Sequence, residues 1–147
     1  MNTEKVKEIT DTFTTHIFCT DTHYSLLEEW WRKQKKTPPA PEMLSDTGIV
    51  VCDEIPLAMG FMYFSNSGLG QLGFVCANPE IGPRRKLTAL LFLIETGMKV
   101  FAQSKGIKYV HTYSDEPGLT KAYVANGFNL LSQHDVLIQK IGGINGH

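Results

Sequence analysis

A strand, a tight turn, a long helix and a second strand follow one another between residues 72 and 114, and this order leaves the chain few folds to adopt. Leu72-Gly73-Phe74-Val75-Cys76-Ala77 reads as a strand and Asn78-Pro79-Glu80-Ile81-Gly82-Pro83 as a turn. From Arg84 onward, Leu87, Leu90, Leu91, Ile94, Met98 and Phe101 recur at three- and four-residue spacing, with Thr88, Glu95, Lys99 and Gln103 opposite. Gly82-Pro83 sets the start, because proline at the first helical position has the right φ and gives up only an amide without an intrahelical partner. Lys105-Gly106 sets the end, a cation followed by a residue that tolerates left-handed geometry. The strand at 108–114 then lies parallel to the one before the helix, since a crossover of this length brings the chain back in the same direction.

The head of this helix carries Arg84-Arg85-Lys86, three cations in a first turn where the macrodipole favours acids. Each costs about 0.3–1 kcal/mol at low salt. An anion held by the free amides and these side chains reverses the sign. A solvated basic turn is the plainer reading, its cost screened by salt.

Upstream, Gly48-Ile49-Val50-Val51-Cys52 and Leu57-Ala58-Met59-Gly60-Phe61-Met62-Tyr63-Phe64 form a hairpin across Asp53-Glu54-Ile55-Pro56. With the strand at 72–77 they make a three-stranded meander before the helix. Residues 12–18 give a first strand. A helix capped by Asp21-Thr22 then carries Tyr24, Leu27, Trp30 and Trp31 on one stripe. Trp30 and Trp31 read as core, or as the wall of a substrate pocket. Residues 33–41, basic and then rich in proline, read as a solvated connection or as a wall beside an acceptor site. Pro117-Gly118 opens a short helix over 119–126, closed by Gly127; residues 128–141 supply two more extended runs and 142–147 a frayed tail. The expected architecture is α/β (α+β): one domain over 1–147, with a mixed, mostly antiparallel sheet and one parallel pair around the long helix.

A chain of 147 residues, 42% hydrophobic, is long enough for one full core. A net charge of -1 gives no global field for nucleic acid, so DNA or RNA is open but not favoured. Cys19, Cys52 and Cys76 read as buried, reduced thiols. His16, His23, His111, His134 and His147 lack metal-ligand spacing, so no metal is expected. No signal-peptide pattern and no long apolar span occur, which predicts a soluble, cytoplasmic protein without a membrane partner.

Pro79-Glu80 through Ala89-Leu90-Leu91 resembles the GNAT superfamily of acyl-CoA-dependent N-acyltransferases, in which a strand, loop and long helix hold the pyrophosphate of acetyl-CoA. Where that family has glycines, this chain has Gly82-Pro83-Arg84-Arg85-Lys86-Leu87. Ala122-Tyr123-Val124-Ala125-Asn126-Gly127-Phe128 is similar to the family's tyrosine four residues before Gly-Phe. The likeness implies acetyl-CoA as acyl donor, with Val75, Cys76, Ala77, Arg84, Arg85 and Lys86 as its binding residues and Tyr123 as the general acid that protonates the departing thiolate. It also implies an amine acceptor, small or on a protein, and leaves a homodimer open. No carboxylate stands on the strand at 72–77; Glu80, Asp115, Glu116 and His111 are the candidates for a base, and Glu116 replaces an asparagine common in the family.

Glu29-Trp30-Trp31, Pro41-Glu42-Met43-Leu44, Thr47-Gly48, Asn78-Pro79 and Pro117-Gly118-Leu119 look similar to small phage- and prophage-encoded GNAT-like proteins. The leading expectation is N-acetyl transfer by direct attack on the thioester. The alternatives are a degenerate GNAT-fold binding protein and Mom-type modification of DNA bases, the last of which requires strongly salt-dependent binding.

Overall fold

The computed structural model describes residues 12–114 and 116–129. Five strands lie in the order β1-β2-β3-β4-β5: β1 (Thr14–Ile17), β2 (Thr47–Cys52), β3 (Pro56–Phe64), β4 (Leu69–Ala77) and β5 (Tyr109–Thr112). The first four pair antiparallel and β4 pairs parallel with β5, as the crossover requires. Helix α1 (Thr20–Lys33) covers one face, with Leu27 and Trp30 packed on Val50, Met59, Phe61 and Cys76. The other face carries the long helix, built of α2 (Pro83–Phe92), a π segment (Leu93–Met98) and α3 (Lys99–Ser104), with α4 (Pro117–Ala125) beside it. Asp115, the runs expected over 128–141, His134 and the tail with His147 lie wholly or mainly outside the described residues.

The long helix starts at Gly82 and Pro83 as expected and buries the expected face from Leu90 onward, with Leu90, Ile94 and Met98 buried and Leu91 and Phe101 packed on the core; its first turns differ. Leu87 is exposed, whereas Thr88 is buried, its hydroxyl donating to the Arg84 carbonyl at 2.9 Å. The buried positions Leu90, Ile94, Met98 and Ala102 step by four residues. An α-helix drifts about 40° with each such step, and the wider turns of the π segment bring the stripe back over the sheet. Gly97 sits inside that segment because a β-carbon there would stand 2.7 Å from Ile49 Cδ1.

Helix α1 is capped at Cys19, two residues before the expected Asp21-Thr22 cap. Phe18 still pairs with the sheet, its amide donating to the Gly48 carbonyl at 2.9 Å, so the chain turns at Cys19. The Cys19 amide donates to His23 Nδ1 at 2.9 Å in place of an acidic cap. Cys19 is consequently exposed, contrary to the expectation of three buried thiols; Cys52 is half-buried and Cys76 buried.

The long helix, α4 and α1 all stop by the same device. The amide of Ile107 donates to the Ala102 carbonyl and that of Gly106 to Gln103, with Gly106 at φ 71°. At the end of α4, Phe128 donates to Tyr123 and Gly127 to Val124, with Gly127 at φ 91°. At the end of α1, Lys36 donates to Trp31 and Lys35 to Arg32, and the left-handed residue, at φ 60°, is Lys35. These are Schellman turns, in which glycine is the usual left-handed residue because it carries no β-carbon.

Candidate functional site

The site is built where the sheet comes apart. The β4–β5 ladder runs from Leu69 opposite Tyr109 to Leu72 opposite Thr112 and ends there, although β4 continues to Ala77. The divergence coincides with an irregularity in β4. Met59 pairs with Cys76 and Phe61 with Gly73, so β4 holds one residue more than β3 between these rungs. Phe74 takes the extra place, at φ 50° in the left-handed region. Such a bulge bends the strand and increases its twist, which carries residues 73–77 away from β5.

This bend also decides which peptide groups line the gap. The Asn78 amide donates to the Leu57 carbonyl at 2.8 Å, which fixes the phase of the antiparallel ladder. By alternation Cys76 exchanges hydrogen bonds with Met59, while Val75 and Ala77 turn their peptide groups away from β3 and into the gap. The three expected backbone contributors are therefore not equivalent. Cys76 puts its side chain on the α1 face, where burial pushes the thiol up to about 12; the Trp31 indole and the Lys36 ammonium act the other way, and Glu116 adds to the rise. A thiol so placed is protonated at neutral pH and is no nucleophile.

Tyr123 lies on the long-helix face. It is 4% exposed, and burial pushes its hydroxyl up to about 12, opposed by a hydrogen bond with Thr112. The Thr112 hydroxyl in turn donates to the Leu72 carbonyl at 2.8 Å. Since Leu72 and Thr112 form the last paired rung, the phenol is fixed at the base of the gap. The Tyr123 ring packs on Phe128 with centroids 5.3 Å apart. That contact joins the ends of the Schellman turn, so the Tyr-x-x-x-Gly-Phe spacing is a helix stop as well as a family signature.

The head of α2 borders the gap on the same face. Gly82 is its cap, with open space around its α-carbon. Arg84 and Arg85 are exposed and Lys86 half-buried. Arg85 pairs with Asp53 in the β2–β3 turn, so its charge is aimed towards the β1 side of α2. A cavity of about 560 Å³ opens there, lined by Phe13, Asp53, Gly82, Arg84, Arg85 and Thr88 among others. Burial works to raise the Asp53 carboxyl, and the Arg85 guanidinium with the Ile55 amide outweighs it and holds the group below the usual carboxylate range.

On the α1 face, residues 33–36 cross the mouth of the gap and are not the solvated connection that their charge suggests. Lys33 Nζ lies 3.0 Å from both Glu29 and Glu80, and Gln34 Nε2 donates to the Ala77 carbonyl at 3.3 Å. Lys36 Nζ meets Glu116 Oε1 at 3.2 Å. Ala77 belongs to one arm of the gap and Glu116 to the connection leaving the other, so this short segment bridges the two. Trp31 packs its ring 6.0 Å from that of Phe74, and its Nε1 is buried without a hydrogen-bond partner of good geometry. Of the candidate bases, Glu80 and Glu116 are thus both ion-paired, and the His111 ring meets that of Tyr113 at 5.8 Å. Sequence reasoning missed Phe74, Thr112 and Asp53. Leu72, Phe74 and Cys76 keep a regular two-residue spacing, so the sequence carried no signal for the bulge that puts Leu72 on one face of the sheet and Phe74 and Cys76 on the other. Among the described residues no three His, Cys, Asp or Glu side chains cluster as metal ligands.

Solved structures share this fold. An acetyltransferase from Trypanosoma brucei superposes with a TM-score of 0.56, at 18% identity, over 86% of this chain and 99% of that one. A protein from Thermus thermophilus gives 0.59 at 16% identity over 88% and 98%. A "predicted acetyltransferase with acetyl-CoA" from Clostridium acetobutylicum gives 0.50 at 13% identity over 86% and 96%. The chain therefore has the fold of GNAT-type acetyltransferases. No family model and no curated protein matches the sequence. Among the described residues no helix is long and apolar enough to cross a membrane.

Proposed function

We propose that the chain is an N-acyltransferase that uses acetyl-CoA and transfers the acetyl group to an amine by direct attack. The observation that carries this reading is the opening of the sheet: β4 keeps two peptide groups, those of Val75 and Ala77, facing a gap that β5 leaves unfilled. The residues around it fit an acyl-CoA. The α2 head offers free amides, an uncrowded Gly82 and the cations Arg84, Arg85 and Lys86 for a diphosphate. The bound donor supplies an acyl group activated as a thioester. Val75 and Ala77 direct N–H groups to where its carbonyl oxygen gains charge. Tyr123, kept protonated by burial, holds the proton that a leaving thiolate needs. Cys76, also protonated, takes no covalent part.

The rival, a GNAT-fold binding protein without acyl transfer, draws support from the engagement of Arg85 by Asp53 and from the missing glycines. Thermal unfolding with and without acetyl-CoA separates the two. At about a hundred times its dissociation constant the ligand adds roughly 2.7 kcal/mol of stability, and Arg84→Ala and Arg85→Ala each reduce the shift. Absence of any shift at millimolar acetyl-CoA overturns the enzyme in favour of the binding protein.

A further inference from the structure

We infer that Lys36 is an acceptor for the chain's own acyl transfer, so that the protein acylates itself at the strap across its acceptor face. The inference rests on the acyltransferase reading above and adds a modification site to it. Of the two strap lysines paired across the gap, Lys33 meets Glu80 next to the β4 arm and Lys36 is the one that reaches the β5 side. Two residues before it, Gln34 is fixed to the Ala77 carbonyl on the β4 arm; its own ammonium is fixed to Glu116, beyond the β5 arm, at 3.2 Å. The side chain runs from the Gln34 anchor to Glu116 and is partly screened from solvent. It is 31% exposed, against 43% for Lys33 and Lys99.

Glu116 is equally well placed. It is the N-cap residue of α4, and its carbonyl accepts from Ser114 Oγ at 3.0 Å and from Thr120 Oγ1 at 3.1 Å. Its backbone is thus pinned at the head of α4. The strap that carries Lys36 is tied at Gln34 to Ala77, the last residue of the splayed segment of β4, which sets the pair beside that segment.

The step balances without a further reactant. The Glu116 carboxylate takes the proton that the ammonium must shed, and the deprotonated Lys36 nitrogen bonds to the thioester carbonyl carbon. The carbon–sulfur bond breaks, and its electron pair leaves with sulfur, which receives the Tyr123 proton. The nitrogen then loses its surplus proton to solvent, leaving an amide and a free thiol, and Glu116 and Tyr123 return to their resting states through water. Lys36 loses its charge, and with it the ion pair that holds the strap to α4.

The full chain, incubated with acetyl-CoA alone, gains one acetyl group by intact mass, and peptide sequencing finds it on Lys36. Lys36→Arg, which keeps the ion pair, abolishes the gain. Glu116→Gln slows it by about tenfold or more, general-base assistance being worth at least that. Thermal shifts with acetyl-CoA persist in both variants. Acetylation spread over exposed lysines and unaffected by Lys36→Arg overturns the inference, as does an unmodified Lys36 in a chain whose thermal shift shows the donor bound. A missing thermal shift in the wild-type chain marks failure of the acyltransferase reading itself.

Discussion

The two faces of the gap between β4 and β5 are built on different principles. On the long-helix face the parts are apolar and locked: Tyr123 buried, its hydroxyl tied to Thr112, its ring packed at a tilt on Phe128 by the turn that ends α4. On the α1 face the parts are charged and exchangeable: Lys33, Gln34 and Lys36 hold Glu80, Ala77 and Glu116 through contacts that water can replace. Burial makes the first face rigid at the cost of choice. Partial exposure makes the second selective, because each ion pair there is worth about 1 kcal/mol or less and a ligand can displace it. Under the acyltransferase proposal, an invariant donor suits the locked face and a particular acceptor the exchangeable one.

The sharpest way to break this division is to remove one oxygen from the locked face. Tyr123→Phe keeps the ring and the contact with Phe128, so the acetyl-CoA thermal shift stays, while turnover falls by about 10²–10⁴-fold if the phenol is the acid. Steady-state rates beside thermal shifts decide it; an unaltered rate removes Tyr123 from the chemistry and leaves it a helix stop. Next in size is Gly97→Ala. The new methyl group meets Ile49 Cδ1 at 2.7 Å, and overpacking of this kind costs about 1–3 kcal/mol. Urea unfolding measures the loss, and Ile49→Val, which removes that atom, restores part of it in the double variant.

The locked face is also the legible one. Gly82-Pro83, Lys105-Gly106 and Pro117 to Gly127 announce helix ends through backbone chemistry that neighbours do not alter, and the parallel pairing of β4 and β5 follows from the length between them. What failed is what depends on tertiary contact. The leucine spacing does not record that Leu87 is exposed and Thr88 buried in the first turns of α2, and no local pattern marks the π segment that follows. Lys36 and Glu116 are eighty residues apart in sequence, and Arg85 and Asp53 thirty-two. A charge run records that cations exist, not which distant carboxylates wait for them. The three cations of the α2 head were readable as a cluster, whereas the commitment of one of them to Asp53 was not.

On the exchangeable face, the stop of α1 sharpens the comparison. Lys35 occupies at φ 60° the position that Gly106 and Gly127 fill at the other helix ends. Left-handed geometry costs a residue with a β-carbon about 1–2 kcal/mol, part of which glycine forfeits through its freer unfolded chain. Lys35→Gly therefore stabilises by about 0.5–1 kcal/mol in urea unfolding, and Gly106→Ala has the opposite sign. If Lys35→Gly destabilises, the strap is held by its side chain and not by its turn.

The smallest effect tests the border between the two faces. Asp53 is the counter-ion of Arg85 at the α2 head, 14% exposed against 42% for the arginine. Its carboxyl is held below the usual range, so it binds a proton more readily in the unfolded chain than in the folded one. The stability it contributes is complete above the unfolded carboxylate pKa and disappears as pH falls through the lowered folded value. Asp53→Asn consequently costs about 0.5 kcal/mol at neutral pH, the solvent around Arg85 screening the rest, and nothing in strong acid; paired urea titrations at the two pH values read the difference. The same substitution frees the guanidinium for a diphosphate, so it tightens acetyl-CoA binding even as it loosens the fold, and added salt erodes the gain. Weaker binding by Asp53→Asn places the ligand's phosphates away from Arg85 and leaves Arg84 and Lys86 to hold them.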